Sequence, residues 1–460
     1  METLDVVIWT IRQRKGRAKP YELRWKVGIE PKSKSFLTRA LADHFRADLL
    51  KAAKKGEPFD TLTGLPTSMT KTEKVTLSWY DFCRKYVHMR WQGAAAKTRE
   101  SIVDSLTVAT FALLADEASG LPKKEIRAAM QWALIPRQEG GPPPLHLEDA
   151  VRLLSKGTLD VSDLADPIVA RNVCEELTLT RDGKRAAADT TARRRRGLNT
   201  ALEYAIDLGE LTENPLKRVK QKKVARDNTV DRRCVVNPIQ ARELLVSLSY
   251  VGSWHRGRGR RLVAFFATLY FAGLRPAEAI GLRKTDCHLP QEGWGLLTLE
   301  VTRPSSGKQW TDNGTVHDQR GLKQREEHEA RPVPIPPGLV RVLRAHLDEF
   351  GTAADGRLFR NERGGILGAS TYSRAWEEAR RFALTPQQVV SSLAGRPYDL
   401  RHAALSTWLN AGVDVAVVAE RAGNSVEVLL KRYAKCLDGR DSQINRRIEA
   451  ALENQIQIDR

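Results

Sequence analysis

The sequence predicts a multidomain, mainly helical protein with small β-sheets, and three patterns along its 460 residues carry that prediction. β-Branched and aromatic residues alternate near the start, apolar residues recur every three to four positions from Leu77 to about Gly209, and helical and strand patterns mix from about Cys234 onward. A chain of this length exceeds one ordinary core and suits two or three domains. With 41% hydrophobic residues it has the material to fill them.

Residues 1–60 read as a small module of three strands and a helix. Val6 to Arg12 and Tyr21 to Val27 alternate as strands do, and the basic turn Arg14-Lys15-Gly16-Arg17-Ala18-Lys19-Pro20 joins them as a hairpin. A third strand is expected near Lys34 to Phe36, after which Thr38 caps a helix reaching about Lys55. Gly56, Pro58, Gly64 and Pro66 then mark a linker.

Residues 71–216 read as an all-helical domain. Its expected helices are Leu77 to Trp91, Thr98 to Asp116, Lys123 to Leu134, His146 to Leu154, Pro167 to Thr178 and Thr190 to Leu208. Near the start of the last come Arg193, Arg194, Arg195 and Arg196, ahead of an apolar face at Leu198, Leu202, Ala205 and Leu208. Four consecutive residues cannot share one side of a helix, so some of these arginines face away from any core. Residues 217–233, rich in lysine and arginine and poor in apolar residues, read as an extended basic linker.

Residues 234–440 form an α+β domain. Helices are expected at Pro238 to Ser249, Arg258 to Phe271, Gly338 to Phe350, Thr371 to Phe382, His402 to Ala411, Asp414 to Ala422 and Val426 to Tyr433. Strands are expected at Gly295 to Val301 and Arg331 to Ile335, with a long polar stretch, Arg303 to Ala330, reading as a mobile loop between them. Residues 441–460 are expected to close the chain with a tail helix that is apolar at Ile444, Ile448, Ala451 and Leu452.

A net charge of +19 favours a polyanionic partner, because each cation placed on a phosphate releases condensed counterions. Cys83, Cys174, Cys234, Cys287 and Cys436 are scattered and show no metal-ligand spacing, which argues for a reducing cytoplasm and against a zinc site. No basic-then-apolar leader opens the chain and no apolar run approaches a membrane span, so no membrane association is expected. No glycine-rich loop with nucleotide-binding spacing follows a strand, which argues against nucleotide chemistry.

The residues that carry chemistry lie in the last two hundred. Phosphodiester transfer needs cationic donors on the two non-bridging oxygens, a nucleophile in line with the departing oxygen, and a proton donor for that oxygen. Arginine suits the first task, since its planar fork holds two oxygens and keeps its charge. Arg275 closes the apolar stretch Leu262 to Leu274, and Glu278, three residues on, lies on the same helical side to orient or neutralise an arginine. Arg401 stands beside His402 at the start of another helix. Tyr433 follows Asn424 by nine residues.

The string from Ala272 through Arg275 and Glu278 to Leu282, the box Asp399-Leu400-Arg401-His402, the turn Ala422-Gly423-Asn424-Ser425 and the late Tyr433, in that order, resemble the tyrosine recombinases of the phage-integrase family. The resemblance is firmest over residues 235 to 440. It implies that Arg275 and Arg401 hold the scissile phosphate and that Tyr433 is the nucleophile. It also implies a hairpin lysine as proton donor. Lys323, before the Arg331-Pro332-Val333-Pro334-Ile335 strand, is the closer match, and Lys308 is the competitor. Tyr398 and Asn424 stand where the family usually has histidine, and histidine or tryptophan. A phenol donates a hydrogen bond but is a poor base at neutral pH, and asparagine keeps a donor without a charge. Asn424 reads equally as a cap for the helix from Val426, and His402 as a structural residue at its helix start.

The implied activity is site-specific DNA recombination through a 3′-phosphotyrosyl intermediate, integrating and excising a phage genome or mobile element, with no cofactor and no metal. The implied partner is double-stranded DNA at attachment-type sites, bound by four protomers, with an accessory directionality factor and a nucleoid-associated place in a bacterial cytoplasm. In that picture residues 1–60 are an arm-type DNA-binding module using Arg14, Lys15 and Arg17, and residues 71–216 a DNA clamp using Arg193 to Arg196. The alternatives are a non-catalytic DNA-binding relative acting as regulator or architectural protein, and an enzyme that only nicks and reseals.

Overall fold

The structure, a computed structural model, describes residues 2–14, 16–70, 77–136, 141–219, 229–252, 257–322, 329–436, 445–446, 448–450 and 452. It is mainly helical with small antiparallel sheets. Lys15, Lys323, Ile444, Ala451 and linker residues 220–228 lie outside the described residues. Ile448 and Leu452 of the expected tail helix are described, and both are exposed.

In the N-terminal segment the strand Tyr21–Val27 is central. One edge pairs with Glu30–Phe36 in unbroken register from Val27↔Glu30 to Tyr21↔Phe36. Its other edge pairs with Val6–Ile8 and then Arg12–Gln13, where a single strand was expected. The break is a β-bulge: from Ile8↔Trp25 to Arg12↔Glu22 one strand advances four residues while its partner advances three, leaving one extra residue among positions 9–11. Alternation puts Leu23, Trp25 and Val27 on the buried face, where the helix Arg39–Lys54 covers them with Leu49 and Ala52. Thr38 caps that helix by accepting from the Leu41 N–H at 3.3 Å.

The helical region contains Trp79–Trp91, Ala96–Thr110, Lys123–Ala133, Glu148–Lys156, Pro167–Glu176 and Ala188–Asp207. Their apolar faces converge on Trp79, Phe82, Tyr86, Leu106, Met130, Leu198 and Leu202. The second helix stops at Thr110, short of the expected Asp116, and the chain turns through Leu113 to a short 3-10 turn at Asp116–Ala118.

In the mixed region the helix Gly257–Phe271 is the hub. Its Phe266 stacks on Trp376 at 4.8 Å, and its Phe265 meets Phe359 edge-on at 5.6 Å. A three-stranded sheet, ordered Arg331–Ile335, Gly295–Leu299, Cys287–His288, lays Leu297, Leu299, Val333 and Ile335 against the same core. A separate core gathers the last helices, Asp399–Asn410, Val415–Ala422 and Val426–Tyr433.

The stretch expected as a mobile loop is, over 303–322, built into the fold. Val301–Thr302 pairs with Arg320–Gly321, and the intervening strap sends Trp310 into the helical core. A lone large aromatic in a polar stretch finds burial by crossing to the neighbouring core. Among the described residues no helix is long and apolar enough to cross a membrane.

Candidate active site

Arg275 is fixed by the turn before it and the helix after it. Gly273 holds φ 61°, and a Cβ there would meet Leu405 at 2.9 Å and Trp408 at 3.0 Å, so this position needs glycine twice over. Arg275 is the N-cap of Pro276–Gly281, with proline at the first helical position. Its backbone N–H donates to Glu278 Oε2 at 2.8 Å. Its guanidinium donates to Glu278 Oε1 at 2.7 Å, and to Gly423 O and Asn424 Oδ1 at 2.8 Å each.

Glu278 is only 2% exposed and collects more than Arg275. Arg331, buried at the first residue of its strand, donates to Oε1 at 3.1 Å and to Oε2 at 2.8 Å. Arg401, 1% exposed, brings Nη1 to 3.9 Å from Oε2. Burial alone would push the Glu278 carboxyl upward, but Arg331, Arg401 and Arg275 outweigh it and hold the group down at about 2. Three guanidinia thus face one carboxylate, and among the described residues no other carboxylate lies within ion-pair distance of them. The cluster carries a net charge of +2 and has the electrostatics of an anion site, a phosphodiester bringing it to +1.

Arg401 enters from the first turn of Asp399–Asn410 and donates to the carbonyls of Gly273 and, at 2.6 Å, Ala422. The Ala422 carbonyl ends the helix Val415–Ala422, whose C-cap Gly423 is left-handed at φ 61°. A Cβ on Gly423 would run into the Arg331 guanidinium and come within 3.3 Å of Arg275 Nη1. Asn424 follows, but Ser425 caps the next helix, accepting from the Val428 N–H at 3.2 Å. The capping role read for Asn424 is therefore corrected: its side chain serves Arg275.

Tyr398, His402 and Tyr433 form an adjoining aromatic row. The Tyr398 phenol lies within hydrogen-bonding reach of Arg275, and its ring meets His402 edge-on at 5.0 Å. His402 Nδ1 and Tyr433 Oη share a hydrogen bond of 2.8 Å. Burial first, then Arg432, Arg401 and Arg396, push His402 down to about 3, so its ring is neutral. Burial drives the Tyr433 phenol well above its ordinary value despite Arg401. Only 1% of Tyr433 is exposed. The site therefore holds a protonated phenol, hydrogen-bonded to a neutral imidazole, on the helix that follows the Arg275-bound turn.

Not every expected residue joins this cluster. Lys323 is outside the described residues, and Lys308 lies on the strap in the short turn Lys308–Trp310. Arg14 pairs with Glu22 at 2.8 Å and Arg17 is exposed. The arginine run divides by helical phase: Arg193 and Arg196 are exposed, whereas Arg194 is buried on Asp104 at 3.0 Å and on Leu179 O at 2.7 Å. Arg195 donates to Leu216 O at 2.7 Å and Val219 O at 3.1 Å. Arg194 and Arg195 are thus corrected from DNA-facing to internal, since a helix turns about 100° per residue and two of four must look inward. Sequence reasoning missed Arg331 as a site residue. Its signal was the alternation of its own strand, which puts 331, 333 and 335 on the buried side.

Compared with known proteins, the chain matches no family model. It is similar to a protein named "Tyrosine recombinase XerC-like" from Caldanaerobacter subterraneus subsp. tengcongensis, 23% identical over 257 residues, 50% of this chain and 57% of that protein. It is also similar to a "Tyrosine recombinase" from Thermosipho africanus, 25% identical over 244 residues, 53% of this chain and 70% of that protein. The chain thus spans little more than half the length of the first of these curated relatives. Among solved structures, the Tn1549 transposon integrase in complex with a circular intermediate DNA aligns over 70% of this chain and 98% of its own, with 16% identity and a TM-score of 0.47. XerH recombinase bound to a palindromic difH substrate covers 82% of this chain and 97% of its own, with 14% identity and a TM-score of 0.46. In sequence, then, this chain is similar over about half its length to proteins named tyrosine recombinases.

Proposed function

We propose that the chain is a site-specific DNA recombinase that cleaves and rejoins DNA through Tyr433. The observation that carries this reading is the surplus positive charge around Glu278, set beside a phenol that Arg401 and His402 adjoin. A scissile phosphodiester supplies the anion, held by Arg275, which is 25% exposed along its side chain, with Arg401 behind it. Asn424, fixed by its Oδ1 on Arg275, offers its Nδ2 donors to the same phosphate, as Tyr398 offers its hydroxyl.

The reaction runs by in-line exchange. Tyr433 Oη bonds to phosphorus, the bond from phosphorus to O5′ breaks, the phenol proton passes to His402 Nδ1, and a lysine ammonium, Lys323 in first place, protonates O5′. An imidazolium beside Arg401 and Arg432 is costly, and the incoming phosphate charge lowers that cost. The 3′-phosphotyrosyl link conserves the bond for attack by a 5′-hydroxyl of a partner duplex. Residues 1–60 serve as an arm-type DNA-binding module and 71–216 as a clamp opposite the 234–440 domain, and the assembly on attachment-type DNA is a homotetramer acting for a mobile element, with an accessory factor setting direction.

The test is a suicide assay with nicked duplexes from the flanks of the chain's own gene. A covalent protein–DNA adduct is expected from the natural chain and none from Tyr433→Phe. Tight binding with no adduct on any flank would favour a non-catalytic DNA-binding relative instead.

A further inference from the structure

A cavity of about 510 Å³ opens in the helical region, and none of the residues lining it belongs to the Glu278 cluster or to the aromatic row of Tyr433. The helices Ala96–Thr110 and Lys123–Ala133 wall it together with the first turns of Ala188–Asp207. Asp104 sits among them with both oxygens taken: Oδ1 accepts from Arg127 at 3.2 Å and Oδ2 from Arg194 at 3.0 Å. Arg181 and Arg193 also line the cavity, both exposed, and among the described residues no carboxylate lies within ion-pair distance of either. Lys97, at the same cavity, is neutralised by Glu100 at 2.6 Å. Four guanidinia thus share this space with the one carboxylate left over. Burial, then Arg181 and Arg194, push the Arg127 guanidinium below its ordinary value, with Asp104 opposing them.

Thr107 adds an uncharged donor to the wall. It is only 1% exposed, and among the described residues its hydroxyl has no hydrogen-bond partner. Its neighbours Ser105 and Thr110 each donate to the carbonyl four residues earlier, at 2.7 and 2.9 Å, so the same helix satisfies their hydroxyls and leaves this one open. A buried hydroxyl without a partner is costly, and an acceptor brought into the cavity removes that cost.

We propose that this cavity is a phosphate-ester site, separate from the anion site beside Tyr433, in which Arg181, Arg193 and the Thr107 hydroxyl bind the phosphate. The site does not depend on the recombinase reading. A tetrahedral oxyanion presents several acceptors at once, which suits two free guanidinium forks and a hydroxyl better than a carboxylate would. Asp104 fixes Arg127 and Arg194 in the wall, so the surplus charge stands in place before the anion arrives. The volume is that of a site for a whole small ligand, larger than one ion needs. The phosphate therefore comes attached to something, either as one linkage of a nucleic-acid strand or on a free phosphorylated molecule.

Modification of arginines by phenylglyoxal in the full chain, mapped peptide by peptide, tests this. Arg196, exposed on the same helix as Arg193 but outside the cavity, is the internal control. At constant ionic strength, inorganic phosphate should slow modification of Arg181 and Arg193 by about fivefold or more, and of Arg196 by less than about twofold. Thr107→Val, which keeps the shape of the side chain and the net charge, should raise the phosphate concentration needed for this shielding by about tenfold. Equal slowing at all three arginines, no slowing at any, or shielding unchanged by Thr107→Val would overturn the site. An ion cloud over a basic surface requires neither the cavity nor an uncharged hydroxyl. Adenosine monophosphate and a short duplex of unrelated sequence then identify the source: whichever shields Arg181 and Arg193 at the lower phosphate concentration carries the natural ester, and either answer upholds the site.

Discussion

His402 Nδ1 and Tyr433 Oη lie 2.8 Å apart, between two side chains that are both almost wholly buried. The pair joins the start of Asp399–Asn410 to the end of Val426–Tyr433, so the residue beside Arg401 sets where the last helix delivers its phenol. Attack on a duplex therefore requires Tyr433 to leave this bond or the phosphate to come to it.

Burial of His402 among Arg432, Arg401 and Arg396 makes stability fall on acidification. His402 is held at about 3 in the fold against 6.5 unfolded, so between those values the unfolded chain binds the extra proton. The stabilising contribution is complete above 6.5 and is lost as pH falls from there toward 3. Between pH 7.5 and 5 thermal or denaturant unfolding should show a loss of about 1–2 kcal/mol that His402→Phe lacks. The rate of adduct formation should show no inflection near pH 6.5 from this ring, because it is already neutral there.

Glu278→Gln should leave the buried guanidinia of Arg331 and Arg401, and the partly exposed one of Arg275, without their carboxylate. Removing one member of a buried ionic cluster costs about 3–5 kcal/mol, and a lower melting temperature is the measurement. Inorganic phosphate or sulfate should raise that temperature more in the variant than in the natural chain, since the vacated charge is what the anion replaces.

Arg331→Lys keeps one charge but loses the fork that spans both Glu278 oxygens. It should destabilise by about 2–4 kcal/mol and slow adduct formation by about tenfold or more, because Glu278 then no longer holds Arg275 in place. Unfolding and single-turnover cleavage on the same preparation check both halves.

The arginine run should split in two by experiment. Arg194→Ala, which leaves Asp104 with Arg127 alone and uncouples Leu179 O, should cost about 1–3 kcal/mol. Arg193→Ala and Arg196→Ala should leave stability within about 0.5 kcal/mol. If they meet phosphates, each should lower the slope of log affinity against log salt by about 1. Unfolding curves and a salt titration of DNA binding separate the two classes.

What was legible in the sequence was local. The helices of 77–209 could be read because their apolar spacing encodes one face, and the Arg275, Arg401 and Tyr433 strings because each carries its own turn and helix signals. What was hidden depends on chain segments far apart. Arg331 meets Glu278 53 residues away, Arg99 meets Asp312 213 residues away, and His402 meets Tyr433 31 residues away. No periodicity encodes such pairs. Arg194 was misread because four adjacent cations look alike until helical phase assigns each a side. The bulge at positions 9–11 was missed because one extra residue leaves the alternation on either side intact.

As the proposed nucleophile, Tyr433 becomes covalently joined to the 3′ side of a cleaved strand. Digesting the trapped adduct to peptides and fragmenting the nucleotide-bearing peptide tests it most directly. The expected result is a 3′-phosphonucleotide on Tyr433 and a released strand whose 5′ end accepts phosphate from a kinase without prior dephosphorylation. A nucleotide on any other residue, or a 5′-phosphorylated released strand, would contradict it.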